Sequence, residues 1–225
     1  MRRLDQWVVR EYHLPLVVTI ENAGRCVADL ITRRFAPKRT DPIVALVGRG
    51  FNGAVALAAA RTLLQVGYAV SAATTDVHTK FRDETLRELQ MFRKFGGHAP
   101  PFLAQRALPE AAFLLDGLIG YGLTDSVKGT AGEMIRAAND HEADVVAVDI
   151  PSGLQPDQGT PDDPTTVADA TVALALPKQG VTKASARKYV GELYLGDVGL
   201  PRPLYDEFGV KPEDLFSGDL VVRLA

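Results

Sequence analysis

Three short apolar runs constrain this chain more than any other feature. Ile43–Val47, Ala112–Asp116 and Val145–Ile150 are nearly uninterrupted, and glycine, aspartate or serine follows at or just beyond the end of each. A strand with one wet face alternates apolar and polar residues. An unbroken run marks a strand buried on both faces, as in a parallel sheet covered by helices. Between these runs the spacing changes to three and four residues, the helical period.

The remaining elements follow the same alternation. Residues 1–35 predict two helices: Leu4, Trp7 and Val8 share one face, His13-Leu14-Pro15 breaks it, and Ile20, Ala23, Val27, Leu30 and Ile31 form the next stripe over 18–35. Residues 36–42 read as a loop. Helices are predicted over Ala54–Val66, Asp83–Phe95 and Gly132–His141, with Gly96-Gly97 stopping the second. Further strands are predicted over Ala69–Ala73, near Phe102-Leu103, over Ala170–Leu176 and over Gly191–Gly196. The Pro/Asp/Thr-rich stretch Gln155–Thr166 is a loop inside the domain, and after Pro201 a short helix and a loosely attached tail are expected. Strand–helix alternation of this kind implies an α/β fold with a mostly parallel sheet and helices on both faces.

Composition removes several classes. At 46% hydrophobic, the 225 residues suffice for a packed core, which excludes disorder as the main state. Lys+Arg total 25 against 28 Asp+Glu, a net charge of −3, which argues against nucleic acid or an anionic membrane as partner. The cluster Arg33, Arg34, Lys38 and Arg39 reads as favourable charge at a helix C-terminus and a solvated loop. The single cysteine, Cys26, permits no intrachain disulfide and no multi-cysteine zinc site, as suits a reducing compartment. No apolar run follows Met1-Arg2-Arg3, so no signal peptide is expected, and the longest apolar stretch, Gly53 to Leu64, is shorter than a bilayer span. A cytoplasmic protein is the expectation.

Chemistry is expected at the strand ends, where open parallel sheets bind ligands. Gly48-Arg49-Gly50-Phe51-Asn52-Gly53 fits G-x-G-x-x-G between a strand and a helix, an arrangement that lets backbone N–H groups face a phosphate. It reads equally as a glycine-rich turn without a ligand. The acid that binds a ribose in dinucleotide folds is due about 20 residues on; Tyr68 stands there, and Asp76 comes late. The second segment, Asp116-Gly117-Leu118-Ile119-Gly120-Tyr121-Gly122, is an anion-facing loop or a turn capped by its aspartate. In the third, Asp149-Ile150-Pro151-Ser152-Gly153, Asp149 and Ser152 can face one cleft, or mark an ordinary turn. Lys178 follows the strand Ala170–Leu176 and either points into the same cleft or snorkels to solvent. His13, His78, His98 and His141 are scattered and read as surface residues.

Taken together, several motifs in order resemble the YjeF N-terminal domain family of NAD(P)H-hydrate epimerases. They are Glu21-Asn22-Ala23-Gly24-Arg25, Val148-Asp149-Ile150-Pro151-Ser152-Gly153-Leu154, Asp169-Ala170-Thr171-Val172, Pro177-Lys178 and Tyr189-Val190-Gly191-Glu192-Leu193. The resemblance spans nearly the whole chain, with the family domain expected over 1–204 and a tail over 205–225. It implies a Rossmann-like three-layer α/β/α sandwich, often a homodimer. It implies interconversion of the R and S forms of hydrated NADH or NADPH, so that a separate dehydratase can repair them. It implies one potassium ion held by Asn52, Asp116 and Ser152. The hydrated nucleotide would touch Phe51, Asn52, Gly53, Ala54 and Val55, then Gly120, Tyr121, Gly122, Leu123, Thr124, Asp125 and Ser126, and Asp149. Asp149 would be the acid/base, assisted by Lys178.

One loop departs from the family. Where its pattern is Asn-Asn-Gly-Gly-Asp, this chain has Phe51-Asn52-Gly53-Ala54-Val55. Only the second and third positions match, so a carboxylate able to accept from sugar hydroxyls is replaced by Val55, and Phe51 adds bulk. Weakened nucleotide binding is therefore expected. Two other readings stay open: a nucleotide-binding or dimerisation scaffold with impaired catalysis, and a generic Rossmann oxidoreductase.

Overall fold

The protein is described from a computed structural model that covers residues 2–75, 80–103, 107–122 and 126–224. Helix α1 (Arg2–Tyr12) leads through Pro15 into α2 (Leu16–Leu30), whose last turn widens over Ile31–Phe35. Strand and helix then alternate: β1 (Ile43–Val47), α3 (Phe51–Gln65), β2 (Val70–Thr74), α4 (Asp83–Lys94), β3 (Phe113–Gly117), α5 (Gly129–Asn139) and β4 (Asp144–Val148). Next come β5 (Ala170–Leu174), α6 (Arg187–Val190), β6 (Glu192–Gly196), α7 (Arg202–Glu207), α8 (Pro212–Phe216) and β7 (Val221–Arg223).

Among the described residues seven strands form one sheet in the order β2-β1-β3-β4-β5-β6-β7, parallel except for β7. The pleat sends alternate side chains to opposite faces. Ile43, Ala45 and Val47 pack with α2, α3 and α4, whereas Val44 and Leu46 pack with Met134, Ile135 and Ala138 of α5. Leu193 and Leu195 continue that second face under Val190, Tyr205 and Phe216. The result is a Rossmann-like three-layer α/β/α sandwich. Chain order reverses beside β1: β2 lies on one side of it and β3 on the other, so the crevice of the sheet opens between the ends of β1 and β3. No helix among the described residues is long and apolar enough to cross a membrane.

Several boundaries differ from the sequence expectation, each for a local reason. Helix α3 begins at Phe51 rather than Ala54, because Gly50 already takes the extended N-cap conformation. Helix α5 runs over Gly129–Asn139, a turn earlier than predicted. The strand expected near Phe102-Leu103 is reduced to single bridges, Ser71 with His98 and Thr74 with Pro101. Pro100 and Pro101 lack the N–H groups that a continuous ladder needs. Strands β4 and β5 stop at Val148 and Leu174, two residues short of their apolar runs. The segment after Pro201, expected to hang loosely, carries two helices and an edge strand: Leu195 pairs with Val222, and Tyr205 is 1% exposed. Helix α1 seats Val8 against Leu204, with Trp7, Leu14 and Leu200 around them.

Candidate active site

The turn after β1 is built by close packing. A Cβ at Gly48 would run into the carbonyl of Leu118, and one at Gly53 into the carbonyl of Gly48. These two glycines therefore serve the crossing of the β1 and β3 ends, whereas above Gly50 the space is open. The turn is pinned from a third side: Arg82 N–H donates to the Arg49 carbonyl at 3.0 Å, and Thr85 Oγ1 donates to the Gly50 carbonyl at 2.9 Å.

Asn52, Asp116 and Ser152 converge behind this turn. Asn52 Nδ2 donates to the Val148 carbonyl at 2.6 Å, and its amide lies against Gly120. Asp116 is fully buried; Ser152 Oγ donates to its Oδ1 at 2.6 Å and Ser152 N–H to its Oδ2 at 2.8 Å. Leu118 N–H also donates to Oδ1, at 3.2 Å, the turn-capping bond that an aspartate at a strand end provides. Ile119 N–H donates to Ser152 Oγ at 2.8 Å. Burial pushes the Asp116 carboxyl above the usual carboxylate range, and the Ser152 hydrogen bonds oppose that shift.

Asp149 and Lys178 stand at the neighbouring strand ends. Ile150 N–H donates to the Val148 carbonyl and Leu176 N–H to the Leu174 carbonyl, both at 2.8 Å. The residues between, Asp149 at φ 69° and Ala175 at φ 64°, are left-handed. Both strands thus end in three-residue γ-turns of the strained hand, which costs about 1–3 kcal/mol per residue and is characteristic of functional sites. The turns end the strands early and bring Asp149 Oδ1 to Lys178 Nζ in a buried ion pair, with Leu174 N–H donating to the same oxygen at 3.1 Å. Asp149 is 3% exposed and Lys178 7%.

Two cavities adjoin. A chamber of about 90 Å³ holds Asp149 and Lys178 in largely apolar walls that include Val8, Ile20, Val55 and Leu200, with Thr19 and Asn52 as polar lining. A cleft of about 1050 Å³ lies over the β1 and β3 ends and reaches the start of α5. Leu16, Phe51, Asn52 and Tyr121 line both and form the neck between them. Arg10, Arg49, Lys80, Arg82 and Lys128 line the cleft, with no acidic residue among its described lining. The Arg82 guanidinium stands 4.9 Å over the Phe51 ring.

The expected site residues divide accordingly. Phe51, Asn52, Gly120, Tyr121 and Gly122 line the cleft, and Val55, Asp149 and Lys178 the chamber. Gly53 and Ala54 line neither: they are buried in the packing of α3, and Ala54 belongs to the core. Ser126 is exposed and lines neither cavity. Leu123, Thr124 and Asp125 lie outside the described residues, as do Asp76 and His78. Sequence reasoning missed the cations of the cleft, which come from four separate segments, and Thr75, whose only signal was its place just past an apolar run.

A glycine-turned crevice at the switch point of a doubly wound sheet, lined by cations, defines a Rossmann-like protein with an anion-accepting site. Residues 17–180 match the family described as YjeF-related protein N-terminus. The chain belongs to this family. It is 32% identical to an NAD(P)H-hydrate epimerase of Dehalogenimonas lykanthroporepellens, over 100% of this chain and 90% of that protein. It is also 32% identical to the bifunctional NAD(P)H-hydrate repair enzyme Nnr of Moorella thermoacetica, over 91% of this chain but 40% of that protein. The crystal structure of yeast ynu0 superposes with a TM-score of 0.86 at 20% identity, covering 99% of this chain and 96% of that one, which shows the shared fold.

Proposed function

We propose that the protein is an NAD(P)H-hydrate epimerase, interconverting the R and S forms of hydrated NADH or NADPH. The observation that carries this reading is the buried Asp149–Lys178 pair at the floor of an apolar chamber that opens onto a cationic cleft. The pyrophosphate of a dinucleotide suits the cleft, with its open turn at Gly50 and its five cations. The hydrated ring suits the neck at Phe51 and Tyr121, facing Asp149. There Asp149 acts as acid/base, and Lys178 holds its charge and orientation inside the low-dielectric chamber.

Asn52, Asp116 and Ser152 suit a potassium ion. Their donors are oxygens of amide, carboxylate and hydroxyl, a set that hard cations prefer. Asp116 is a fully buried carboxylate, and no cationic side chain pairs with it among the described residues. A buried charge without a counterion is costly, and a bound monovalent cation would supply the compensating charge.

A second reading is a nucleotide-binding scaffold of impaired activity. It is favoured by Phe51 in the neck and Val55 in the chamber wall, where the family pattern has an amide and a carboxylate. One assay separates the two: purified protein is mixed with R-NADHX and the S form is followed. Equilibration faster than the spontaneous rate is expected; a rate equal to the spontaneous one overturns the epimerase reading.

A further inference from the structure

Both cavities are walled on one side by the last turns of α1. Val8 lines the chamber, and Val9 and Arg10 line the cleft. The helix is seated lightly there. Val8 meets Leu204 in a small apolar cluster apart from the three that form the core, with Trp7, Leu14 and Leu200 only partly buried around it. Elements that bury little apolar surface open locally while the rest of the fold stays intact.

The joint behind these turns is short and bent. His13 is left-handed at φ 51°, which a residue with a side chain adopts at a cost, and Pro15 has no N–H to carry the helix on. Across the joint, Leu14 N–H reaches the Val8 carbonyl only at 3.4 Å. Leu16, the first residue of α2 beyond it, stands in the neck that links the two cavities. A few residues at element ends that absorb a change of backbone angle are what a hinge requires. A turn of this joint lifts Val8 off the chamber and Arg10 off the cleft, beside the neck through which a ring must pass.

Arg10 is exposed, and its guanidinium makes no ion pair or hydrogen bond among the described residues. A guanidinium without a partner on the wall of an anion-accepting cleft is available to a phosphate oxygen. Val8 supplies the apolar counterpart: a ligand ring in the chamber is cut off from water on that side only while α1 is seated.

We infer that the last turns of α1 form a lid that closes on the bound dinucleotide, Arg10 taking a phosphate oxygen in the cleft as Val8 seals the chamber behind the ring. The lid rests on the nucleotide-hydrate reading above and adds to it a residue that binds the ligand and the motion that delivers it.

Trp7 reports on the lid directly, because it is the only tryptophan of the chain and sits at the Val8–Leu204 contact. The intact protein is titrated with ADP-ribose, which carries the pyrophosphate and lacks the nicotinamide ring. Binding is followed by calorimetry and the accessibility of Trp7 by acrylamide quenching of its fluorescence. Quenching should fall clearly at saturating ADP-ribose as α1 closes. Arg10→Ala should weaken binding several-fold and leave Trp7 as quenchable with ADP-ribose as without it, with Arg10→Lys intermediate in both. Arg10 is exposed, so the fold does not depend on it. If ADP-ribose binds and Trp7 quenching is unchanged, or if Arg10→Ala binds as the parent does, the lid is overturned and the epimerase reading stands on its own assay. Failure of the parent to bind ADP-ribose overturns the lid together with the cleft as a nucleotide site.

Discussion

The Lys178 ammonium closes on the Asp149 carboxylate although 29 positions separate them in the chain. The pair forms because β4 and β5 are neighbours and each ends in a γ-turn, which lifts both side chains off the sheet toward one chamber. Asp149 N–H still donates to the Val172 carbonyl at 2.8 Å, so the turn stays tied to the sheet as it bends away.

Removing either partner of this pair should be costly. Asp149→Asn removes the acid/base, and epimerisation is expected to fall roughly 10²–10⁴-fold; it also leaves the Lys178 ammonium buried and unpaired, so a lower unfolding midpoint is expected with it. Lys178→Met leaves a buried carboxylate unpaired, and a loss of about 3–5 kcal/mol in urea unfolding is expected. A Lys178→Met protein as stable as the parent contradicts a buried ionised pair.

Restoring the family loop should strengthen binding. Phe51→Asn, Ala54→Gly and Val55→Asp together open the neck and return a carboxylate to the chamber wall that Val55 now occupies. Higher affinity for NADPH by calorimetry, or faster epimerisation, is expected. A stability loss should accompany it, since Ala54 is fully buried and a helical glycine costs about 1 kcal/mol relative to alanine. No gain in either affinity or rate excludes the loop as the cause of weak binding.

The cation site is open to a direct crystallographic check. Crystals soaked in rubidium or thallium salts should show an anomalous peak bounded by Asn52, Asp116 and Ser152. Ser152→Ala removes a hydroxyl bonded to a buried carboxylate, which should cost about 1–3 kcal/mol and weaken the peak. Absence of a peak at saturating salt counts against the site.

A pH dependence should originate away from the site. Glu88 is 1% exposed, its carboxylate oxygens have no hydrogen-bond partner, and Arg61 Nη2 lies 3.6 Å off, already engaged by Glu21. Burial, then the charge of Glu21, raise Glu88 from its ordinary 4.5 to about 7, and Arg61 opposes them. The folded protein thus keeps a proton that the unfolded chain releases. The contribution of Glu88 to stability is full below about 4.5 and is lost as pH rises through about 7. Glu88→Gln, neutral throughout, should gain stability relative to the parent across that window, measured by urea unfolding at pH 4.5, 6 and 7.5. A difference constant with pH contradicts this account.

The elements of the fold were legible in the sequence because their signals are local. An unbroken apolar run such as Ile43–Val47 specifies a buried strand, and the spacing of Ile20, Ala23, Val27 and Leu30 specifies a helix, whatever lies elsewhere. The strand ends that carry Asp116, Asp149 and Ser152 were legible for the same reason, since polar residues interrupt the run there. What happens beyond those ends was decided by the tertiary structure. Only the order of strands in the sheet brings Ser152 to Asp116, Lys178 to Asp149 and the cations of four segments to one cleft. Only the β6 edge makes the last residues a strand, because Val221–Arg223 pairs with Tyr194, Leu195 and Gly196, far back in the chain. Periodicity acts over one or two turns of chain and is written in neighbouring residues. Hydrogen-bond partners, counter-charges and an unpaired hydroxyl such as Thr75 depend on which distant backbone arrives beside them, and that is set by packing the whole sheet.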